Sequence, residues 1–317
     1  MKIAMIGCGA YSLALSIVLN EKNDITVWSE DEAKVQEVKT CGYLNKILKG
    51  QKIPKDIQFS TNLKEVCLNK KIIILAVAMP FLENTIKELK NFYTDDQVVL
   101  VATKGINENG KFAHQMLEEN EIFNYAIISG PSFAIDLITK TPTALTVAVN
   151  NADIDLIKQG LSAALTLEFS QDVVGTQLCG ALKNIMATAS GMIYGLGFSS
   201  STSAYFLTKA LREIQKIIMA FNGQEKTVLN CCGIGDLILT CNSSKSRNYT
   251  LGVLLASKDW QMVEKYLQET TVEGYHTLKA IVKLLEKEKI QNELIDILYK
   301  IIFEQKDLAI LINYLKK

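Results

Sequence analysis

The chain has 317 residues, 48% of them hydrophobic, and its 34 lysines and arginines balance its 34 aspartates and glutamates. That length accommodates two domains with a sizeable core, and the balanced charge gives no electrostatic case for nucleic acid or an acidic membrane surface as partner. The longest apolar run, residues 72–79, is too short to span a bilayer, so no integral membrane segment is expected.

Residues 2–6 read as a short apolar strand. Gly7-Cys8-Gly9-Ala10-Tyr11-Ser12 follows, then a helix over 13–21 and a second strand over 25–28. This is the dinucleotide fingerprint with serine at its third glycine position. Gly7 makes the tight turn, Gly9 lets backbone approach a pyrophosphate, and Ser12 is small enough for close helix–strand packing. The helix N-terminus then faces the phosphates. A glycine turn in an unrelated α/β domain is the competing reading. After the second strand come Ser29, Glu30 and Asp31. A carboxylate there accepts from ribose hydroxyls and repels a 2′-phosphate. Glu30 therefore favours NADH over NADPH, unless Lys34 or a basic residue within 45–52 offsets it.

A helix over 31–40 and a basic, turn-rich segment over 41–60 come next. Strands are expected over 72–77, 98–102, 125–129, 143–149 and 166–170, with helices over 80–91, 111–120 and 153–164. Such alternation predicts a parallel, doubly wound (Rossmann) sheet. Ligands bind these sheets beyond the carboxyl ends of the strands. Lys104, Gly130 and Ser132 follow such ends and should border the site.

All four prolines precede residue 143, and the second half reads as helical. The expected division is a dinucleotide-binding α/β domain over 1–172 and an all-α substrate and catalytic domain over 173–317. The stretch 173–208 carries one charged residue, Lys183, among small and apolar neighbours. Burial disfavours a lysine's charged form. Either the stem is buried and the amine reaches water, or the amine faces a polar pocket where a lowered pKa suits proton transfer. Asn184 beside it could hold a substrate oxygen. Helices over 174–194 and 202–221 precede a glycine-rich turn at 230–236. Ser246, Arg247 and Asn248 open a further helix, where free backbone donors and a guanidinium suit an anion. An ordinary N-cap with a surface arginine is the alternative. Helices over 272–286, 291–304 and 307–316 complete the chain.

Seven cysteines, an odd number without a C-x-x-C pair, and only two histidines make a disulfide framework or a zinc site poorly supported. The N-terminus lacks a long apolar segment with a small-residue cleavage site, so a cytoplasmic protein is the expectation.

Several motifs together resemble the NAD(P)-dependent sn-glycerol-3-phosphate dehydrogenases of the bacterial soluble type. They are VATKG at 101–105, ISGPSFA at 128–134, PTA at 142–144, GTQLCGALKNIMA at 175–187, GIGDLILTC at 233–241, SRN at 246–248 and VEGY at 272–275. The resemblance covers nearly the whole chain. It implies a Rossmann domain followed by a helical domain, and reversible reduction of dihydroxyacetone phosphate, giving glycerol 3-phosphate for phospholipid synthesis. It implies Lys183 as the catalytic acid/base, with Lys104 neutralising developing charge. Asp236 and Thr240 would line the pocket, the aspartate tuning Lys183. Gly130, Ser132, Ser246, Arg247 and Asn248 would hold the substrate, the last two on its phosphate. Ala134, Glu273 and the Ala10-Tyr11-Ser12 turn would contact the cofactor, as would Lys104 and Arg247. A homodimer is left open.

The chain departs from the family pattern in places. Ser12 stands for a glycine, and Ser29-Glu30-Asp31 occupies a stretch that often holds a basic residue or histidine. The usual proline of the 76–79 segment is displaced to Pro80. Ser201 and Ser203 replace an asparagine and a basic residue. Two further readings follow from these departures: a related dehydrogenase acting on another small carbonyl compound, or a nucleotide-binding regulator that binds cofactor without turnover.

Overall fold

Short apolar runs with no polar face set the first half of the fold. In β1 (Lys2–Ile6), Ile3 and Met5 enter one core and Ala4 and Ile6 another. That is the period-two alternation of a strand covered on both faces. The computed structural model, which describes residues 1–44 and 47–317, divides into two compact units. One comprises Met1–Thr103 and Ala113–Val173, the other Lys104–Phe112 and Val174–Lys317.

In the first unit β1 leads into α1 (Ala10–Leu19), β2 (Asp24–Trp28), α2 (Glu32–Cys41), β3 (Gln58–Ser60) and α3 (Leu63–Cys67). Then come β4 (Ile72–Leu75), α4 (Met79–Lys90), β5 (Val98–Val101) and α5 (Ala113–Glu119). The unit closes with β6 (Tyr125–Ser129), α6 (Ala134–Ile138), β7 (Ala144–Val149), α7 (Ile154–Leu161) and β8 (Thr166–Ser170). The strands form one sheet in the order β3-β2-β1-β4-β5-β6-β7-β8. Helices α1 and α7 cover the face of Ile3 and Met5, while α3, α4 and α5 cover the other. The doubly wound expectation is met, with one correction: β7 runs antiparallel to β6, pairing Ala126 with Val149 and Ser129 with Thr146. The connection explains it. Helix α6 has five residues, a rise of about 8 Å, whereas the five residues of β6 span about 17 Å. So short a helix cannot carry the chain back along the sheet, and β7 starts from the end where β6 stopped. The basic segment 41–60 contains residues 45 and 46, which lie outside the described residues, and with them Lys46.

The second unit is helical: α8 (Val173–Gly195), α9 (Ser200–Ala220), α10 (Asp236–Cys241), α11 (Arg247–Ala256), α12 (Trp260–Glu269), α13 (Glu273–Lys287), α14 (Glu293–Phe303) and α15 (Ala309–Leu315). Every residue of α8 from Gly175 to Ile193 is buried. The small side chains allow this, because they let neighbouring backbones come close. Leu178, Leu182 and Ile185 of α8 share a core with Phe206 of α9 and Leu278 of α13. The stretch 104–112 belongs to this unit: Ile106 and Phe112 join its core, and Phe112 meets Phe221 edge-on with ring centroids 6.1 Å apart. Among the described residues no helix is long and apolar enough to cross a membrane.

Helices α8 and α11 touch backbone to backbone. A Cβ on Gly252 would stand 1.9 Å from the carbonyl oxygen of Thr188. Neither backbone can yield without moving a helix, so Gly252→Ala is expected to destabilise the protein by about 3 kcal/mol. Urea unfolding measures this, and an unchanged midpoint would mean that the crossing opens freely.

Candidate active site

Asp236 reaches the interior because of the turn before it. Residues Cys231–Gly235 form a π-helical turn, in which Gly233 is pressed against Val228, leaving a Cβ only 2.2 Å from that carbonyl oxygen. Helix α10 then starts at Asp236 with its carboxylate facing inward, the residue 1% exposed. Lys183 comes from the middle of α8. Its Nζ donates to Asp236 Oδ1 at 2.5 Å and to Thr240 Oγ1 at 2.9 Å. Thr240 lies one turn after Asp236, and its hydroxyl donates to the Asp236 backbone carbonyl at 2.7 Å. Lys104 Nζ donates to the other carboxylate oxygen, Oδ2, at 2.7 Å. The carboxylate therefore holds one lysine on each oxygen.

Burial pushes the Lys183 ammonium down, to about 8, against the pull of Asp236; the charge of Lys104 pushes the same way as burial. Burial alone would raise Asp236, but Lys104 and Lys183 outweigh it and hold the carboxyl below its usual range. The Lys183 amine does not end in bulk water: the residue is 6% exposed and its amine meets Asp236 and Thr240. Two cations share one anion, so the cluster carries a net positive charge and at least one N–H that can meet a developing oxyanion.

A second polar group lies beside it. The Asn184 amide donates from Nδ2 to Glu273 Oε2 at 3.0 Å. Asn248 donates from Nδ2 to Asn184 Oδ1 at 3.0 Å, and the Gly274 backbone N–H donates to Asn248 Oδ1 at 2.8 Å. The expected anion pocket at the start of α11 is thus divided in use. The Ser246 hydroxyl caps the helix by accepting from the Tyr249 N–H, Asn248 is buried within these bonds, and Arg247 stays exposed. The departures at Ser201 and Ser203 lie elsewhere. Ser201 lines a surface groove with Phe198, Tyr205 and Ile312, and the Ser203 hydroxyl turns back on the Ser199 carbonyl at 3.5 Å.

In the first unit Gly7 has φ +119°, and a Cβ there would meet the Ala76 carbonyl oxygen at 2.6 Å, so glycine is required at this turn. Gly9 precedes α1 without a side-chain cap, and nothing lies within 4 Å of where its Cβ would be. Open space at Gly9, before the helix N-terminus at Ala10, suits a phosphate, and the residues fit a dinucleotide there. Ser12 is wholly buried. Its hydroxyl is placed to donate to the carbonyls of Gly7, at 2.8 Å, and Gly9, at 3.1 Å. It ties the turn together, and its hydroxyl is engaged there. The Tyr11 hydroxyl meets Ser132 Oγ at 3.2 Å, and Ser132 in turn donates to the Gly130 carbonyl at 3.2 Å. Ala134 opens α6 close by, packed against α1. Glu30 is exposed after β2. Asp31 caps α2, accepting from the Lys34 N–H and pairing with its ammonium at 3.2 Å; these contacts hold its carboxyl below the usual range.

A glycine turn opening a helix on a doubly wound sheet, followed by a helical unit with a lysine buried against a carboxylate, defines a nicotinamide-nucleotide-dependent dehydrogenase. Residues 2–155 match the family model for the N-terminus of NAD-dependent glycerol-3-phosphate dehydrogenase, and residues 172–313 match the one for its C-terminus. The NAD(P)+ glycerol-3-phosphate dehydrogenase of Clostridium botulinum (strain Alaska E43 / Type E3) is 33% identical over 312 residues, covering 96% of this chain and 94% of its own. The Fusobacterium nucleatum enzyme of the same name is 31% identical over 324 residues, covering 99% and 96%. A crystal structure of glycerol-3-phosphate dehydrogenase from Coxiella burnetii, 27% identical, matches with a TM-score of 0.93 over 100% of this chain and 99% of that one. The chain belongs to the NAD-dependent glycerol-3-phosphate dehydrogenase family.

Proposed function

We propose that this chain catalyses the reversible reduction of dihydroxyacetone phosphate to sn-glycerol 3-phosphate with NADH or NADPH, supplying phospholipid synthesis in the cytoplasm. The observation that carries the reading is the buried cluster of Lys183, Asp236, Lys104 and Thr240. A bound reduced nicotinamide supplies the hydride. Lys183 gives its proton to the carbonyl oxygen as the hydride reaches the carbon, and takes it back in the reverse direction. Asp236 and Thr240 hold the Lys183 Nζ in one place, so the transfer needs no search for geometry. Lys104 offsets the charge that grows on the oxygen. Arg247 and Asn248 hold the phosphate, the first as an exposed bidentate donor. Ser246, Asn184, Gly130 and Ser132 complete the substrate contacts. Gly7, Gly9, Ala10, Tyr11, Ser12, Ala134 and Glu273 serve the cofactor, together with Lys104 and Arg247.

Glu30 supports a preference for NADH. It is exposed where ribose hydroxyls would arrive, while Lys34, a cation that could offset it, is engaged by Asp31. The test is absorbance at 340 nm with dihydroxyacetone phosphate and either cofactor. Substrate-dependent oxidation is expected, with a higher kcat/KM for NADH; a higher value for NADPH would reverse the Glu30 argument. No oxidation of either would turn the assignment to another substrate. In the same assay Arg247→Ala should raise the KM for dihydroxyacetone phosphate by about 100-fold with a much smaller change in kcat. An unchanged KM would place the phosphate elsewhere.

A further inference from the structure

We propose that Glu273 is a positioning residue for Asn248, acting through Asn184. The inference rests on the phosphate-binding role proposed above for Asn248. The hydrogen bonds run in one direction, from the Gly274 N–H to Asn248, from Asn248 to Asn184, and from Asn184 to the Glu273 carboxylate. Glu273 and Gly274 are neighbours, so the path closes on itself at the start of α13. Its two ends are chemically one-sided. A backbone N–H can only donate, and an ionised carboxylate can only accept. An amide between them has no choice of orientation. Asn184 must turn its oxygen to Asn248, and Asn248 must turn its oxygen to Gly274.

The consequence falls on the one amide assigned to phosphate. Asn248 has its oxygen occupied and keeps a second N–H beyond the one given to Asn184, so what it offers a ligand is a donor. Turned the other way, it would present an oxygen to an anion. Gly274 is what allows the closure: a Cβ there would lie 2.8 Å from Asn248 Oδ1 and 2.7 Å from the Asn184 carbonyl. Asn184 and Asn248 are 3% and 7% exposed, so water cannot easily replace a lost partner.

The experiment is titration calorimetry with sn-glycerol 3-phosphate and with glycerol. It uses the full-length wild type, Glu273→Ala, Glu273→Gln, Asn248→Ala and the Glu273→Ala/Asn248→Ala double variant, all without cofactor. Glu273→Ala is expected to weaken glycerol 3-phosphate about tenfold. Glu273→Gln, whose amide oxygen can still accept from Asn184, should restore affinity to within about twofold. In the Asn248→Ala background the same Glu273→Ala change should add much less than in wild type, and glycerol, lacking the phosphate, should lose less affinity than glycerol 3-phosphate. Additive losses in the double variant, equal losses for both ligands, or an unchanged affinity in Glu273→Ala would overturn the proposal. The measurement needs no turnover. Wild type that binds glycerol 3-phosphate in this pattern but does not oxidise NADH would contradict the reaction and leave the positioning role standing. Wild type that does not bind it would overturn both.

Discussion

Lys183→Ala is expected to lower kcat for ketone reduction by about 10⁴-fold while leaving NADH affinity unchanged. The substitution removes the proposed proton donor and half of the positive charge facing the carboxylate. Asp236 keeps Lys104 on its other oxygen, so the pocket still has a compensated anion and the protein should fold. Cofactor binding, followed by fluorescence, depends on groups other than this amine. The pH dependence has a definite sign. In the proposed role Lys183 must be protonated for reduction, so wild-type kcat should be flat below the Lys183 value of about 8 and fall above it. Oxidation of glycerol 3-phosphate needs the neutral amine and should rise through the same region. A wild-type kcat in the alanine variant would remove Lys183 from the mechanism.

Asp236→Asn should cost nearly as much, for a different reason. The amide keeps the shape but removes the negative charge that both ammonium groups contact. Burial and Lys104 then act on Lys183 without the opposing pull of the carboxylate, so the descending limb of the reduction profile should move to lower pH. At pH 7 kcat should drop about 100-fold, and stability should fall by about 3 kcal/mol because the buried Lys183 amine loses its counter-charge. A limb that stays at its wild-type pH would show that Asp236 positions the lysine without setting its charge.

Lys183 was legible in the sequence because a lone charge in an apolar, small-residue stretch is costly and needs a partner. The partner itself was not legible from the residues. Asp236 is 53 positions away and is brought in by a π-helical turn that no periodicity announces; the family resemblance alone pointed to it. The glycine turn, the sheet and the change to helices could be read because each depends on local pattern. The reversal of β7 could not, since strand alternation carries no direction when the connecting helix is so short. The Asn184–Asn248 bond joins residues 64 positions apart; Asn184 stands out beside Lys183 in the apolar stretch, but no local pattern pairs it with Asn248. Ser12 packs wholly buried where a glycine is usual, and its hydroxyl adds a bond to the turn that size alone does not foretell.

The stretch 104–112 belongs with the helical unit although it is encoded amid the strands of the other. The two units are therefore not separable as two lengths of gene. A hybrid made by joining the first 172 residues of one relative to the remainder of another would take Lys104 from the first parent and Asp236 and Lys183 from the second. Each parent's lysine would have been fitted to its own carboxylate. Exchange of intact function between relatives would require two further cuts, one on each side of this nine-residue stretch, and inheritance should keep it together with residues far downstream rather than with its neighbours in the chain.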